Sequence, residues 1–146
     1  MTRREISLLV PLLGVMSARQ EDAQTNSGTV PPHCKGFVFE QLPVNHSASG
    51  TVSRPVMSGK LPTGEIVEMH ETTLQPGQMP HPAHKHVHSE FMFIREGSVE
   101  FTGNDEATQL GPGGVAYASS GEMHSLKNVG STPANYFVFA LGVEPA

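Results

Sequence analysis

Histidines recur at alternate positions in one short stretch of the sequence, and a glutamate continues the same spacing. The residues are His84, His86, His88 and Glu90. On an extended strand alternate side chains lie on one face, so all four would point the same way. Imidazole nitrogens and a carboxylate that converge on one side form a site for a divalent transition metal. The alternative, a polar edge strand or a tag-like histidine run, is disfavoured by the apolar residues 91–94 that follow.

A further ligand has to come from a distant part of the chain. His124 follows a turn at Gly121 and begins a predicted strand. In a small barrel that strand can lie across the interior from the histidine stretch. His81, which is flanked by Pro80 and Pro82, is expected at the surface or rim of the site.

Two other side chains are candidates for proton transfer to or from a bound substrate. His88 and Tyr117 could each lie within hydrogen-bond reach of it. The alternatives for His88 are a contact with the ligands, a role as substitute ligand, or a structural role, and for Tyr117 the alternative is strand packing. Glu68, His70 and Glu71 are expected on a solvated face, although His70 could reach the mouth of the barrel. The predicted catalytic residues are therefore His88 and Tyr117.

Glycine and proline divide the chain into short apolar or alternating runs. There are 15 glycines and 12 prolines among 146 residues, and both residue types interrupt helices and mark turns. Nine strands are predicted, at Phe37–Gln41, Gly50–Met57, Glu65–Leu74, His84–Ile94, Ser98–Thr102, Thr108–Leu110, Gly114–Ala118, His124–Asn128 and Tyr136–Leu141. Many short strands separated by turns predict a single all-β domain, a sandwich or a barrel.

The predicted strands supply an apolar core and a mostly apolar cavity. The expected core residues are Phe37, Phe39, Ile66, Val67, Leu74, Phe91, Phe93, Ile94, Val99, Phe101, Leu110, Val115, Phe137, Phe139 and Leu141. The residues expected to face the cavity are Met69, Met92, Ile94, Tyr117 and Leu126. Such a lining suits a small organic substrate or ligand, and the scarcity of arginine disfavours a sugar phosphate.

The first residues differ in composition from the rest of the chain. Two arginines precede an apolar run at 6–16, and small residues follow. This order is typical of a secretory signal peptide, here with some twin-arginine character, and the run is too short to span a membrane. We expect a signal peptide at 1–18, a flexible arm at 19–35 and a barrel domain at 36–146. The expected location is periplasmic or secreted, with no stable membrane span after processing.

Charge and cysteine content disfavour several classes of protein. The net charge of −5 at pH 7 has the wrong sign for a surface that binds the phosphates of nucleic acid, so no nucleic-acid partner is expected. The single cysteine, Cys34, allows neither an intrachain disulfide nor a CxxC metal or redox site.

Two spaced motifs together resemble those of the cupin superfamily. The first falls on Gly77, His84, His86, Glu90 and Gly97, with an initial gap one residue longer than usual. The second falls on Gly113, Gly121, His124 and Asn128, with Ser119 where proline is usual. The resemblance implies a jelly-roll barrel, also called a double-stranded β-helix. It also implies a set of metal ligands, namely His84, His86, Glu90 and His124.

A ligand set of this kind suits Mn, Fe, Ni, Cu or Zn. The resemblance implies a metal-dependent enzyme, dioxygenase-like or a lyase or isomerase, that acts on a small organic substrate. The alternative is a non-catalytic cupin that binds a ligand or a metal as a sensor, whereas the full ligand set disfavours a merely structural barrel. Short cupins commonly form homodimers, and the apolar strand at 37–39 could add to a neighbour's sheet.

Overall fold

The computed structural model describes residues 29–142, and their regular structure is almost entirely β-strand. The strands are β1 (Asn45–His46), β2 (Val52–Lys60), β3 (Ile66–Leu74), β4 (Ser89–Glu96), β5 (Val99–Gly103), β6 (Glu106–Leu110), β7 (Val115–Ala118), β8 (His124–Asn128) and β9 (Ala134–Leu141). Within this part of the chain no helix has the length and apolarity needed to cross a bilayer. The predicted signal peptide and most of the predicted arm lie outside the described residues.

The strands form two sheets. Six strands lie in the order β1-β2-β3-β9-β4-β7 and three in the order β6-β5-β8, and neighbouring strands within each sheet are antiparallel. From β4 onward the chain passes repeatedly from one sheet to the other, and the core takes side chains from both. The prediction of an all-β jelly-roll barrel is confirmed.

Alternation along the strands of the larger sheet decides which side chains reach the core. On β4, Met92 and Ile94 are 4% and 3% exposed, whereas Phe93 between them is 45% exposed. The core cluster consists of Leu74, Met92, Ile94, Val99, Ala116, Ala118, Leu126, Ala134, Tyr136 and Val138, with Phe101 and Leu110 packed against it. The prediction of Phe91, Phe93, Val115, Phe137 and Phe139 as core residues is wrong, because their positions in the register put them on the outer face.

The predicted first strand is a 3-10 turn, Phe39–Gln41, and the short strand β1 was not predicted. The ring of Phe39 meets that of Phe137 edge to face, with 6.3 Å between centroids. The guanidinium groups of Arg95 and Arg54 lie 4.2 and 4.7 Å from the centroid of the same ring. The turn at residues 39–41 therefore packs on the outer face of the larger sheet and does not form the apolar edge strand that was predicted.

The histidine stretch is not one continuous strand. The backbone of His84 exchanges two hydrogen bonds with that of His124, at 3.0 and 2.9 Å, so it belongs beside the smaller sheet. Regular pairing in the larger sheet begins only at Ser89, opposite Leu141. Residues 85–88 thus cross between the sheets, which is why the predicted strand His84–Ile94 is wrong in its first half.

Candidate metal centre

Three imidazole rings converge between the two sheets. The ring centroids of His84, His86 and His124 are separated by 4.6 to 5.2 Å. Each ring offers one nitrogen such that the three nitrogens all lie within 4.8 Å of one another. The backbone bridge fixes His84 beside His124, and the crossing segment brings His86 to the same point.

Backbone carbonyls set the tautomer of two of these rings. Nδ1 of His86 donates a hydrogen bond to the carbonyl of His88 at 2.8 Å, and Nδ1 of His124 donates to the carbonyl of Glu122 at 3.0 Å. In the neutral rings each Nε2 therefore carries a free lone pair that faces the cluster. Such second contacts orient metal-binding histidines in known sites.

One nitrogen of each of the three rings is buried and has no hydrogen-bond partner among residues 29–142. These nitrogens are Nε2 of His86, Nε2 of His124 and Nδ1 of His84. Leaving a buried polar atom unpaired costs about 1–3 kcal/mol. Three such atoms around one point are the arrangement that a bound cation would satisfy, so the cluster is compatible with a metal ion.

Glu90, on β4, supplies a carboxylate to the same cluster. Its Oε1 lies 3.2 Å from Nε2 of His86, and its Oε2 lies 3.7 Å from Nε2 of His124. Burial raises the pKa of this carboxyl, but electrostatic attraction to the adjacent imidazole of His86, whenever that ring is protonated, and the hydrogen bond from His88 outweigh it, so the pKa lies below its ordinary value. The side chain is thus an anionic oxygen donor near neutral pH.

His84 stays neutral over the same pH range. Desolvation by burial lowers the pKa of its ring to about 4, and repulsion from His81, His124 and His86 acts in the same direction. The lone pair of an uncharged imidazole is available to a metal, whereas that of a protonated imidazole is not.

The structure places the two predicted catalytic residues differently. The ring of His88 stacks on that of His86 at 3.7 Å, and its Nε2 lies 3.1 Å from Oε1 of Glu90, so it contacts two members of the cluster. Tyr117 is 53% exposed and packs against Phe91 on the outer face of the larger sheet. The expectation that Tyr117 faces the cavity is corrected, because the alternation of β7 turns its neighbours Ala116 and Ala118 inward instead.

A cavity of about 260 Å³ opens beside the cluster, with His84, Glu90 and His124 in its wall. The other lining residues are Thr51, Ser53, His70, Thr72, Pro80, His81, Met92, Ser125, Leu126, Tyr136 and Val138. Of the residues expected to face the cavity, Met92 and Leu126 do so, whereas Ile94 lies in the core and Met69 is not among the lining residues. The hydroxyl groups of this lining, on Thr51, Ser53, Thr72, Ser125 and Tyr136, were not predicted. The sequence offered one signal for them: Thr72 is two positions from His70 and therefore lies on the same face of the strand.

Comparison with known proteins agrees with this architecture. A family model described as a cupin domain matches residues 70–140, which include all four candidate ligands. This chain contains a cupin domain. No curated protein gives a significant sequence match to the chain.

Solved structures share the cupin fold at low sequence identity. KdgF from Halomonas sp. superimposes with a TM-score of 0.62 at 16% identity, covering 74% of this chain and 94% of that one. An RmlC-like cupin from Shewanella frigidimarina gives 0.59 at 14% identity, covering 76% and 94%. A cupin-superfamily sugar phosphate isomerase from Silicibacter pomeroyi gives 0.61 at 17% identity, covering 75% and 76%. At these identities the likeness shows the fold alone.

Proposed function

We propose that this cupin domain binds a first-row divalent metal ion and that the metal-loaded protein is an enzyme acting on a small organic substrate. The proposed ligands are His84, His86, Glu90 and His124. The observation that carries the proposal is the convergence of three imidazoles, each with a buried nitrogen that has no hydrogen-bond partner among residues 29–142. The Glu90 carboxylate lies beside two of these rings, and His84, Glu90 and His124 line one cavity.

The donor set of nitrogen and carboxylate oxygen suits Mn, Fe, Ni, Cu or Zn. An ion held there would supply Lewis-acid polarisation of a substrate carbonyl or hydroxyl. The chain's own contribution is orientation and exclusion of water. The carbonyls of His88 and Glu122 hold two of the rings, and Met92, Leu126 and Val138 give the cavity an apolar side.

The cavity favours a small substrate without a phosphate group. Its volume of about 260 Å³ lies just below the usual range of roughly 300–1,000 Å³ for ligand pockets. Within the described part of the chain, no lysine or arginine lines it. This lining distinguishes the proposed substrate from a sugar phosphate, despite the likeness in fold to the isomerase from Silicibacter pomeroyi.

The proposed reaction is either a dioxygenase-like oxidation, which consumes oxygen, or a lyase or isomerase step, which does not. The second candidate function is non-catalytic binding of a metal or small ligand. The outward position of Tyr117 favours this second candidate, because it removes one of the two predicted acid–base groups from the site.

The test begins with full-length protein loaded separately with each of the five metals. We expect about one ion per chain in the wild type, and loss of most of it in His84→Ala and His124→Ala. His46→Ala, which removes an exposed histidine from β1, is the matched control. Equal metal content in all four proteins would overturn the ligand assignment.

Loaded protein is then incubated with phenols, diketones and aldehydes while oxygen and products are followed. Metal-dependent turnover supports an enzyme, and oxygen uptake separates the two reaction classes. Thermal stabilisation by a compound without turnover would support the binding protein instead.

We also propose that the protein is exported to the periplasm or secreted, on the composition of residues 1–18. The mass of the mature protein from its own host tests this. A chain that still contains residues 1–18 would contradict it.

A further inference from the structure

A second pair of ionisable side chains lies on β3, outside the proposed ligand set. Nδ1 of His70 lies 2.9 Å from both carboxylate oxygens of Glu68. The two residues are at alternate positions of the strand and therefore share a face. A carboxylate can only accept, so Nδ1 carries the proton and the lone pair of the neutral ring is on Nε2.

The pair borders the cavity at the proposed metal site and other cavities beside it. His70 lines the 260 Å³ cavity together with the proposed ligands His84, Glu90 and His124. Glu68 lines another cavity, of about 390 Å³, beside His88. The side chains of His70 and Glu68 are 27% and 34% exposed, so both remain in contact with solvent. They also line a smaller cavity together with Ser53 and Pro55.

The other histidines at this cavity differ from His70 in their contacts. Nδ1 of His81 lies 3.2 Å from the carbonyl of Pro82, and the proposed ligands His84, Glu90 and His124 face the cluster. The strand residues that pair with His70 are Pro55 of β2 and Val138 of β9, neither of which titrates. His70 is therefore the histidine at the cavity that combines a carboxylate partner with freedom from the ligand set.

We propose that His70 accepts a proton from a hydroxyl group of the ligand bound in this cavity, and that Glu68 positions the ring for it. The step breaks the ligand O–H bond and forms an N–H bond at Nε2. The product is an oxyanion in the cavity and an imidazolium beside the Glu68 carboxylate. This inference rests on the proposed metal-dependent function, because the oxyanion needs a cation to receive it, and it assigns hydroxyl-bearing compounds such as enediols or catechols as the ligand class.

The test counts the protons released when a catechol binds. Full-length, zinc-loaded protein is titrated with 4-nitrocatechol by calorimetry at about pH 8, above the ordinary imidazole pKa of about 6.5. Titrations in two buffers of different protonation enthalpy give the net number of protons released. We expect His70→Asn, which keeps a donor toward Glu68 and cannot be protonated, to release about one proton more than the wild type.

Glu68→Gln should also release more protons than the wild type, because its amide oxygen can still orient His70 but carries no charge to stabilise the imidazolium. His46→Asn is the matched control and should release the wild-type number. Zinc content is measured for every variant, so failure of the metal site is seen separately from failure of His70. Equal proton counts in zinc-loaded wild type and His70→Asn would overturn the proposal, as would absence of catechol binding to the zinc-loaded wild type.

Discussion

Buried polar side chains in this domain differ in whether their polar atoms have hydrogen-bond partners. Glu71 was expected on a solvated face, yet its side chain is fully buried on the outer side of β3. It accepts a hydrogen bond of 2.9 Å from Arg54 and others from Thr73 and Asn135. The carboxylate is thus a satisfied structural charge, whereas each ring of the histidine cluster has one buried nitrogen with no hydrogen-bond partner among residues 29–142.

Removal of Arg54 should destabilise the domain far more than removal of Arg95. Arg54→Met leaves the buried charge of Glu71 without its ion pair, which should lower the free energy of unfolding by about 3 kcal/mol. Arg95→Met is the matched control, because both guanidiniums stack on Phe39 but Arg95 pairs with the exposed Glu96 at 3.5 Å. Its cost should be less than about 1 kcal/mol. Urea unfolding of both variants measures the difference, and equal losses would show that stacking, rather than charge burial, dominates.

At the scale of elements, turns decide how the chain passes between the sheets. Gly97 lies between β4 of the larger sheet and β5 of the smaller one, with φ +82. A Cβ added there would lie 2.6 Å from Cα of Ala134 and 2.8 Å from the carbonyl oxygen of Pro133. Gly77 has a similar φ of +78, but a Cβ there would meet nothing within 4 Å among residues 29–142. Gly97 is therefore required both by its positive φ and by the close approach of the neighbouring backbone, whereas Gly77 is required by its positive φ alone.

Gly97→Ala should be much more damaging than Gly77→Ala. The backbone strain common to both should cost about 1–2 kcal/mol. The contact with the backbone of Ala134 should raise the total for Gly97→Ala to about 3 kcal/mol or more. Thermal or urea unfolding of the two variants compares them directly. Similar losses would mean that the turn at Gly97 relaxes away from β9 without cost.

The sequence predicted most strand positions because glycine and proline mark the turns, and β8 was predicted with its observed bounds. It did not predict which face of β4 is buried, because residues 91–94 are apolar on both faces and hydrophobicity cannot choose between them. Met92 is two positions from Glu90, and this spacing correctly predicted that both side chains face the cavity. Long-range pairing determined the rest: the bridge between His84 and His124 joins positions 40 residues apart in sequence, so local alternation could not reveal where the strand breaks.

At the scale of the whole molecule, the outer face of the larger sheet carries an apolar patch. Phe93 and Val115 are cross-strand partners on β4 and β7 and are 45% and 50% exposed, and Phe91 lies opposite the half-exposed Tyr117. β7 is also an edge strand of its sheet. Contiguous apolar surface next to an unpaired edge is typical of an interface. We propose that this patch, rather than residues 37–39, joins two copies in a homodimer.

A charge within the patch should separate the copies. We expect Phe93→Lys to sediment as a monomer under conditions in which the wild type sediments as a dimer, because an ammonium group would be buried at the interface. Val129→Lys, at a similarly exposed valine on the loop after β8, should leave the dimer intact. Identical sedimentation of Phe93→Lys and the wild type would exclude the patch as the interface.

The crossing of residues 85–88 between the sheets has a mechanical consequence. His84 and His124 belong beside the smaller sheet, whereas Glu90 belongs to the larger one. An ion shared by these side chains would link the two sheets to each other. The four proposed ligands, His84, His86, Glu90 and His124, would then also stabilise the packing of the two sheets. Removal of the ion would weaken that packing.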